Sequence, residues 1–247
     1  MQPLPTDPSP SSLRVDIWSD VVCPFCYIGK KRLENVAREA GIALDIHWHS
    51  YELDPNAPVK HESSNTQRLA KKYGKSIEQM TQMQQQVAEM AASEGIDFQW
   101  QNAQSGNSLN AHRIIHLAQS HGLADAAEEA FFYAYMTEGL AIGEREVVQQ
   151  IAARIGLDEA EINTVLDSER FTDAVRQDEQ IAQQQLGISG VPFFIFNQQL
   201  GLSGAQPREV FLQALQQAAT MDRNADPVED SAAPMCDDEA CDIPDPK

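Results

Sequence analysis

The sequence predicts an α/β fold in which a strand–helix–strand unit is separated from its remaining strands by a long, all-helical insertion. Three observations carry this reading. Strand-like segments at Leu13–Trp18 and Leu44–Tyr51 flank a helical pattern. Beyond Pro55 and Pro58 the apolar period becomes that of helices and stays so over residues 61–167. Strand character then returns at Phe193–Phe196, where four consecutive residues are aromatic or β-branched.

Each element has a local reason. Leu13–Trp18 alternates apolar and polar positions, and Pro24–Ala40 reads as a helix because Pro suits a first helical turn and Gly41 suits a helix end. Leu44–Tyr51 completes a βαβ unit, so the two strands should be parallel. In the insertion, Ser76 and Gln79 form a capping-box pattern, after which Met80, Met83, Val87 and Met90 recur at helical spacing until Gly95. Further helices fit Leu109–Ser120, Ala124–Glu138, Glu144–Ile155, Asp158–Leu166 and Phe171–Leu186, most of them followed by Gly. After Phe193–Phe196 a segment containing Gly201 turns back, and Pro207–Met221 forms the last helix. The expected organisation is a disordered leader over 1–12, an α/β domain built from 13–60 and 168–221, the insertion over 61–167, and a flexible acidic tail over 222–247.

The chain has 247 residues with 42% hydrophobic content, enough for one large domain. Its formal net charge of −19, of which the tail holds −7, argues against nucleic acid or an anionic membrane as partner, since either requires Lys and Arg to displace counterions. No stretch approaches the roughly 18 apolar residues of a membrane span, and the first residues lack a basic start and an apolar core, so a cytoplasmic setting is expected.

The chemistry concentrates in Cys23-Pro24-Phe25-Cys26, at the junction of the first strand with the first helix. Free N–H groups and the positive dipole end at a helix start stabilise a thiolate, and cysteines three residues apart can close a disulfide. Cys23 is therefore expected to be the exposed nucleophile, and Cys26, about one turn deeper, to resolve any mixed disulfide formed on Cys23. The same spacing serves zinc knuckles, but these normally add a second Cys or His pair in a folded loop, so no metal is expected here.

With Gly190-Val191-Pro192 preceding the aromatic strand, the dithiol at a helix start and the large helical insertion, the chain resembles the DsbA-like branch of the thioredoxin superfamily. The stretch from Ser19 to Gly29 is similar to the FrnE-type subgroup of disulfide oxidoreductases and isomerases. The resemblance covers about Leu13 to Thr220. It implies a thioredoxin-like fold, a cis Val191–Pro192 bond, and Pro192 beside the dithiol, with Val191, Pro192, Pro24 and Phe25 shaping the docking of protein or peptide disulfides. It implies no dissociable cofactor, with glutathione or a reductase recycling the dithiol.

Two positions depart from the pattern. Phe25 stands where strong oxidases of this branch often carry His; lacking a charge or hydrogen bond for the Cys23 thiolate, it should make the couple more reducing. The buried carboxylate that thioredoxin-like proteins often place six residues before the first Cys is here Ile17. Asp16 should face away, leaving Asp20 as the candidate proton relay, with helix or loop capping as its alternative role.

Cys236 and Cys241 stand in the acidic tail, where incidental thiols, a soft-metal site and an auxiliary dithiol all fit; the preferred expectation is a tethered pair exchanging with Cys23 and Cys26. The linker from Thr220 would span about 20 to 24 Å as a flexible chain. His112 and His116 have a metal-capable spacing but are expected in the core or at the surface, and nothing else converges on His47 and His49. The methionine stripe is expected to pack against neighbouring helices, with a pliable substrate groove as its functional alternative. Two rival functions stand beside disulfide exchange. One is a glutathione-dependent transferase or isomerase like the kappa-class transferases and 2-hydroxychromene-2-carboxylate isomerases; the other is a metal-holding or redox-sensing module using all four cysteines.

Overall fold

The structure, a computed structural model, describes residues 12–221. The expectations for the leader up to residue 11 and for the tail with Cys236 and Cys241 lie outside the described residues. Strand β1 (Leu13–Ser19) leads through a short turn into α1 (Pro24–Ala40) and then β2 (Leu44–Ser50). The insertion follows as α2 (Asn65–Lys72), α3 (Ile77–Ser93), α4 (Leu109–Ser120), α5 (Ala124–Met136), α6 (Arg145–Arg154) and α7 (Glu159–Leu166). Helix α8 (Thr172–Gln180) runs into a π-helical turn, Ile181–Gln185, before β3 (Phe193–Phe196), β4 (Leu200–Ser203) and α9 (Arg208–Thr220).

The sheet order is β2-β1-β3-β4. β1 pairs parallel with β2, as a βαβ unit requires, and antiparallel with β3, which pairs antiparallel with β4. Alternation fixes the two faces of β1. Val15 and Ile17 share a face with Phe196 and Phe194, their register partners, and Phe194 meets Phe211 of α9 edge-on at 5.1 Å. Asp16 and Trp18 face the other way, toward α8, where the Trp18 indole N–H donates to Asp178 O (3.2 Å). Val15, Ile17, Phe194, Phe196 and Phe211 are all buried, each contributing about 1.5–3 kcal/mol of apolar transfer.

Helix ends follow the sequence where capping chemistry is plain. Gly41 ends α1 at φ +70°, and the main chain turns back with Ile42 N–H donating to Ala37 O (2.9 Å). Ser76 and Gln79 form their reciprocal cap at the start of α3. Two features depart from the sequence reading. Helix α2 is additional, and Ser64 with Gln67 gives it a capping box of the same kind. The single helix expected over Phe171–Leu186 is instead α8 plus the π-helical turn; the widened turn ends with Ile188 N–H donating to Ala182 O (2.8 Å).

Candidate active site

The turn after β1 is built around Asp20. Its Oδ1 accepts from Val22 N–H (3.2 Å), its Oδ2 accepts from Leu53 N–H beyond β2 (2.8 Å), and its main-chain carbonyl accepts from Cys23 N–H (3.0 Å). This anchors Cys23 at the N-cap of α1, with Pro24 opening the helix and Cys26 N–H donating to Cys23 O (3.1 Å). The first turn carries no acidic residue, so its positive dipole end faces the thiols without an internal counter-charge.

Both cysteines are free thiols, and both are buried. The expectation of an exposed Cys23 is corrected: its relative exposure is 0% and its Sγ lies 3.8 Å from Val191 O. The reason is tertiary. The sequence places Cys23 at a helix end, but the Val191 carbonyl of the cis-Pro segment packs against its sulfur. Burial pushes the Cys26 thiol well above its ordinary range, reinforced by the nearby Cys23 and opposed by the Asp20 main chain and Ser19. Cys26 therefore waits as a neutral thiol at neutral pH.

The Val191–Pro192 bond is cis, and Pro192 O accepts from Gly204 N–H (2.8 Å). Pro192 reaches α1 because residue 29 lacks a side chain: a Cβ there would lie 2.9 Å from Phe194 Cζ and 3.3 Å from Pro192 Cγ. Gly29→Ala is expected to push the cis-Pro segment away from the dithiol, costing about 1–3 kcal/mol by overpacking and slowing disulfide exchange. Chemical denaturation and a disulfide-reduction assay measure the two effects separately.

Cys23, Pro24 and Phe25 form one wall of a cleft with about 1010 Å³ of empty space, part of it open to solvent. The opposite wall comes from the insertion. Met80, Met83 and Val87 of α3 line it with Leu69 and Tyr73 from the end of α2, so part of the methionine stripe faces the cleft as well as packing. Arg68 also lines it, donating to Ser105 Oγ (2.9 Å) and Asn65 Oδ1 (3.0 Å), both neutral partners. The sequence reading passed over Arg68 because it left α2 unassigned; the Ser64–Gln67 cap was the available signal.

Behind the dithiol the fold gathers ionisable groups. Asp20 is fully buried, and His112 Nε2 of α4 stands 3.6 Å from its Oδ1, an ion-pair distance rather than a hydrogen bond. Glu128 of α5 is buried beside them, and Glu52, beyond β2, pairs with Arg176. His116 is engaged elsewhere, with Asp178 (3.3 Å) and Ser50 Oγ (3.2 Å), so the two histidines of α4 do not converge on one point. Among the described residues no cluster of three or more His, Cys, Asp or Glu side chains could hold a metal ion.

The expectation that nothing converges on His49 is also corrected. Its ring stacks on Trp18 (4.3 Å) and lies between Asp16 (3.1 Å) and Asp178 (3.2 Å). Burial opposes its charge, yet the two carboxylates lift its pKa to about 9. Asp178 comes from α8, far away in sequence. His47 instead meets the neighbouring Asp45 (3.1 Å), at a half-buried site.

Comparison with known proteins agrees with this geometry. The description "DSBA-like thioredoxin domain" matches residues 14–216. A crystal structure of a probable DsbA oxidoreductase from Streptomyces coelicolor is 34% identical, with a TM-score of 0.79 over 94% of this chain and all of that one. The Bacillus subtilis protein YwbO is 25% identical over 205 residues, covering 83% of this chain and 96% of that protein. A 2-hydroxychromene-2-carboxylate isomerase shares the fold at 18% identity, with a TM-score of 0.61 over 83% of this chain and 95% of its own. No helix among the described residues is long and apolar enough to cross a membrane. With a cis-Pro segment, a dithiol at a helix start and a helical insertion closing the cleft, the chain belongs to the DSBA-like thioredoxin-domain family.

Proposed function

We propose that the chain is a thiol–disulfide oxidoreductase or disulfide isomerase in which Cys23 attacks and Cys26 resolves. One observation carries the reading: two free thiols stand one turn apart at a helix N-terminus whose first turn holds no acid, Cys23 on the wall of a cleft and Cys26 behind it held neutral. In reduction, the Cys23 thiolate attacks a substrate disulfide; a Cys23–substrate disulfide forms and one substrate sulfur leaves as thiolate. The Cys26 thiol then loses its proton to solvent and attacks Cys23 Sγ, forming the Cys23–Cys26 disulfide and releasing the second substrate thiolate. Two electrons pass from the dithiol to the substrate.

The apolar insertion wall suits extended peptide, and Arg68 suits a carboxylate. We assign a small acidic thiol of the glutathione type as the recycling reductant. Arg68→Ala is expected to raise the KM for glutathione roughly tenfold with little change in kcat, the loss of one charge-assisted hydrogen bond. The glutathione-dependent transferase or isomerase reading predicts a different pattern. There, activity on an electrophile in the presence of glutathione survives Cys26→Ser, whereas disulfide exchange needs both sulfurs. Assaying wild type and Cys26→Ser for net reduction of a disulfide substrate and for turnover of an electrophile with glutathione decides between them. Turnover that ignores Cys26 sinks the exchange reading.

A further inference from the structure

Beyond the two thiols, the least explained feature of the molecule is the charge buried behind them. His112 has no exposed surface and neither ring nitrogen has a hydrogen-bond partner, an arrangement proteins rarely retain without a reason. Its nearest ionic partner is the carboxylate of Asp20, the residue whose main chain holds Cys23 N–H and faces the Cys26 thiol.

Resting on the exchange reading above, we propose that His112 is a positioning residue for the resolving thiol: its imidazolium stands against the Asp20 carboxyl and compensates charge there, and thereby sets how readily Cys26 attacks a mixed disulfide on Cys23. Two consequences follow from the geometry. Asp20 accepts Val22 N–H and Leu53 N–H together, which fixes the turn that presents its main chain to Cys23 N–H and to the Cys26 thiol. A compensated Asp20 adds no net charge behind Cys26, whereas an uncompensated carboxylate there would oppose formation of the Cys26 thiolate.

The surrounding groups are consistent with a charged His112. Burial opposes its protonation, but Asp20, then Glu128 and Glu52, outweigh that and raise its pKa to about 9, so it carries its proton at pH 7. From α5, Glu128 also faces it; burial, against the pull of His112 and Lys30, pushes that carboxyl up to about 8, so it is largely neutral at pH 7. Glu52 is raised by burial and tempered by His112 and Arg176, and Asp125 adds to the rise at Glu128. Tyr135 of α5, which faces Asp20 and Cys23, is raised by burial to about 12 and stays neutral. Around pH 7 the array therefore sets a protonated His112 against Asp20, while Glu52 is paired with Arg176.

The test follows resolution of a mixed disulfide on Cys23, formed with a single-cysteine peptide, across pH. His112→Gln is expected to slow resolution about tenfold at pH 7 and to displace its pH profile upward by about one unit, the equivalent of that factor. Adding Asp20→Asn removes the uncompensated charge and is expected to return the profile toward that of wild type, a coupling that loss of packing alone would not produce. An unmoved profile in His112→Gln overturns the proposal. Should that variant not fold, the His112 ring resonances of the intact wild type decide: titration well above the ordinary histidine range supports the proposal, and a neutral ring at pH 7 overturns it. Cys23→Ser serves as the separate control, because retained exchange in that variant sinks the underlying reading, whereas its inactivity beside an unmoved His112→Gln profile sinks this inference alone.

Discussion

Replacing Cys23 by Ser is expected to reduce disulfide turnover by roughly 10³-fold or more, whereas replacing Cys26 by Ser leaves the first attack intact and stops the reaction there. The asymmetry comes from placement. Cys23 stands at the N-cap of α1, whose first turn holds no acid, and it lines the cleft; Cys26, also buried, does not line it, and its thiol is pushed upward. A serine at 23 offers an alcohol whose ionisation lies far beyond anything a helix dipole supplies. A serine at 26 cannot break the bond between Cys23 and substrate, so about one mixed disulfide per chain should accumulate. Mass spectrometry of the non-reduced protein after one exposure to substrate measures this directly. Rapid loss of the adduct from Cys26→Ser would mean that another thiol, or the leaving group itself, performs the second step.

The substitution is informative because burial has removed the simplest version of the mechanism. Sequence placed Cys23 correctly at the start of a helix, since a strand pattern followed by Pro and a helical period leaves few alternatives. It could not show that the Val191 carbonyl covers the sulfur, because that contact joins residues 168 positions apart. The same division runs through the molecule. β1, β2 and α1 were legible from period and punctuation, and Gly41 ends its helix for the local reason read from sequence. Helix α2 was legible in principle from Ser64 and Gln67, but the prolines just upstream and the polar composition obscured it. The π-helical turn was not legible, because residues that widen a helix by one position carry no periodic mark. The charges behind the dithiol were the least visible. Glu128 stands in a run of alanines and aromatics, and only the packing of α5 against α4 shows that its carboxyl is buried rather than solvated.

Arg32→Met is expected to be the most destabilising single change outside the dithiol, because Arg32 joins three parts of the fold at one buried point. Its Nε donates to Glu94 Oε1 (2.7 Å) at the end of α3, and its Nη1 donates to Ala205 O (2.8 Å) and Gln206 O (2.7 Å) in the turn between β4 and α9. The Glu94 side chain is 2% exposed and is held also by Arg208 (2.9 Å) and Asn35 (3.2 Å). Methionine matches the length of the aliphatic stem but supplies no donor, so two carbonyls and part of a buried carboxylate lose their partner. Breaking a buried pair from one side costs about 3–5 kcal/mol. At roughly 2–4 °C per kcal/mol for a chain of this size, the thermal midpoint should fall by about 10 °C. Arg32→Lys keeps the charge but not the fork that serves Glu94 and the two carbonyls together, and should recover only part of the loss. The effect should reach the cleft as well, since Arg32 fixes the end of the helix that carries Met80, Met83 and Val87. A looser α3 wall predicts a higher KM for peptide disulfides, with attack by Cys23 on bound substrate little altered. A midpoint within about 2 °C of wild type would show that Arg208 alone compensates Glu94, and that α1 and the insertion are held together chiefly by their apolar contacts.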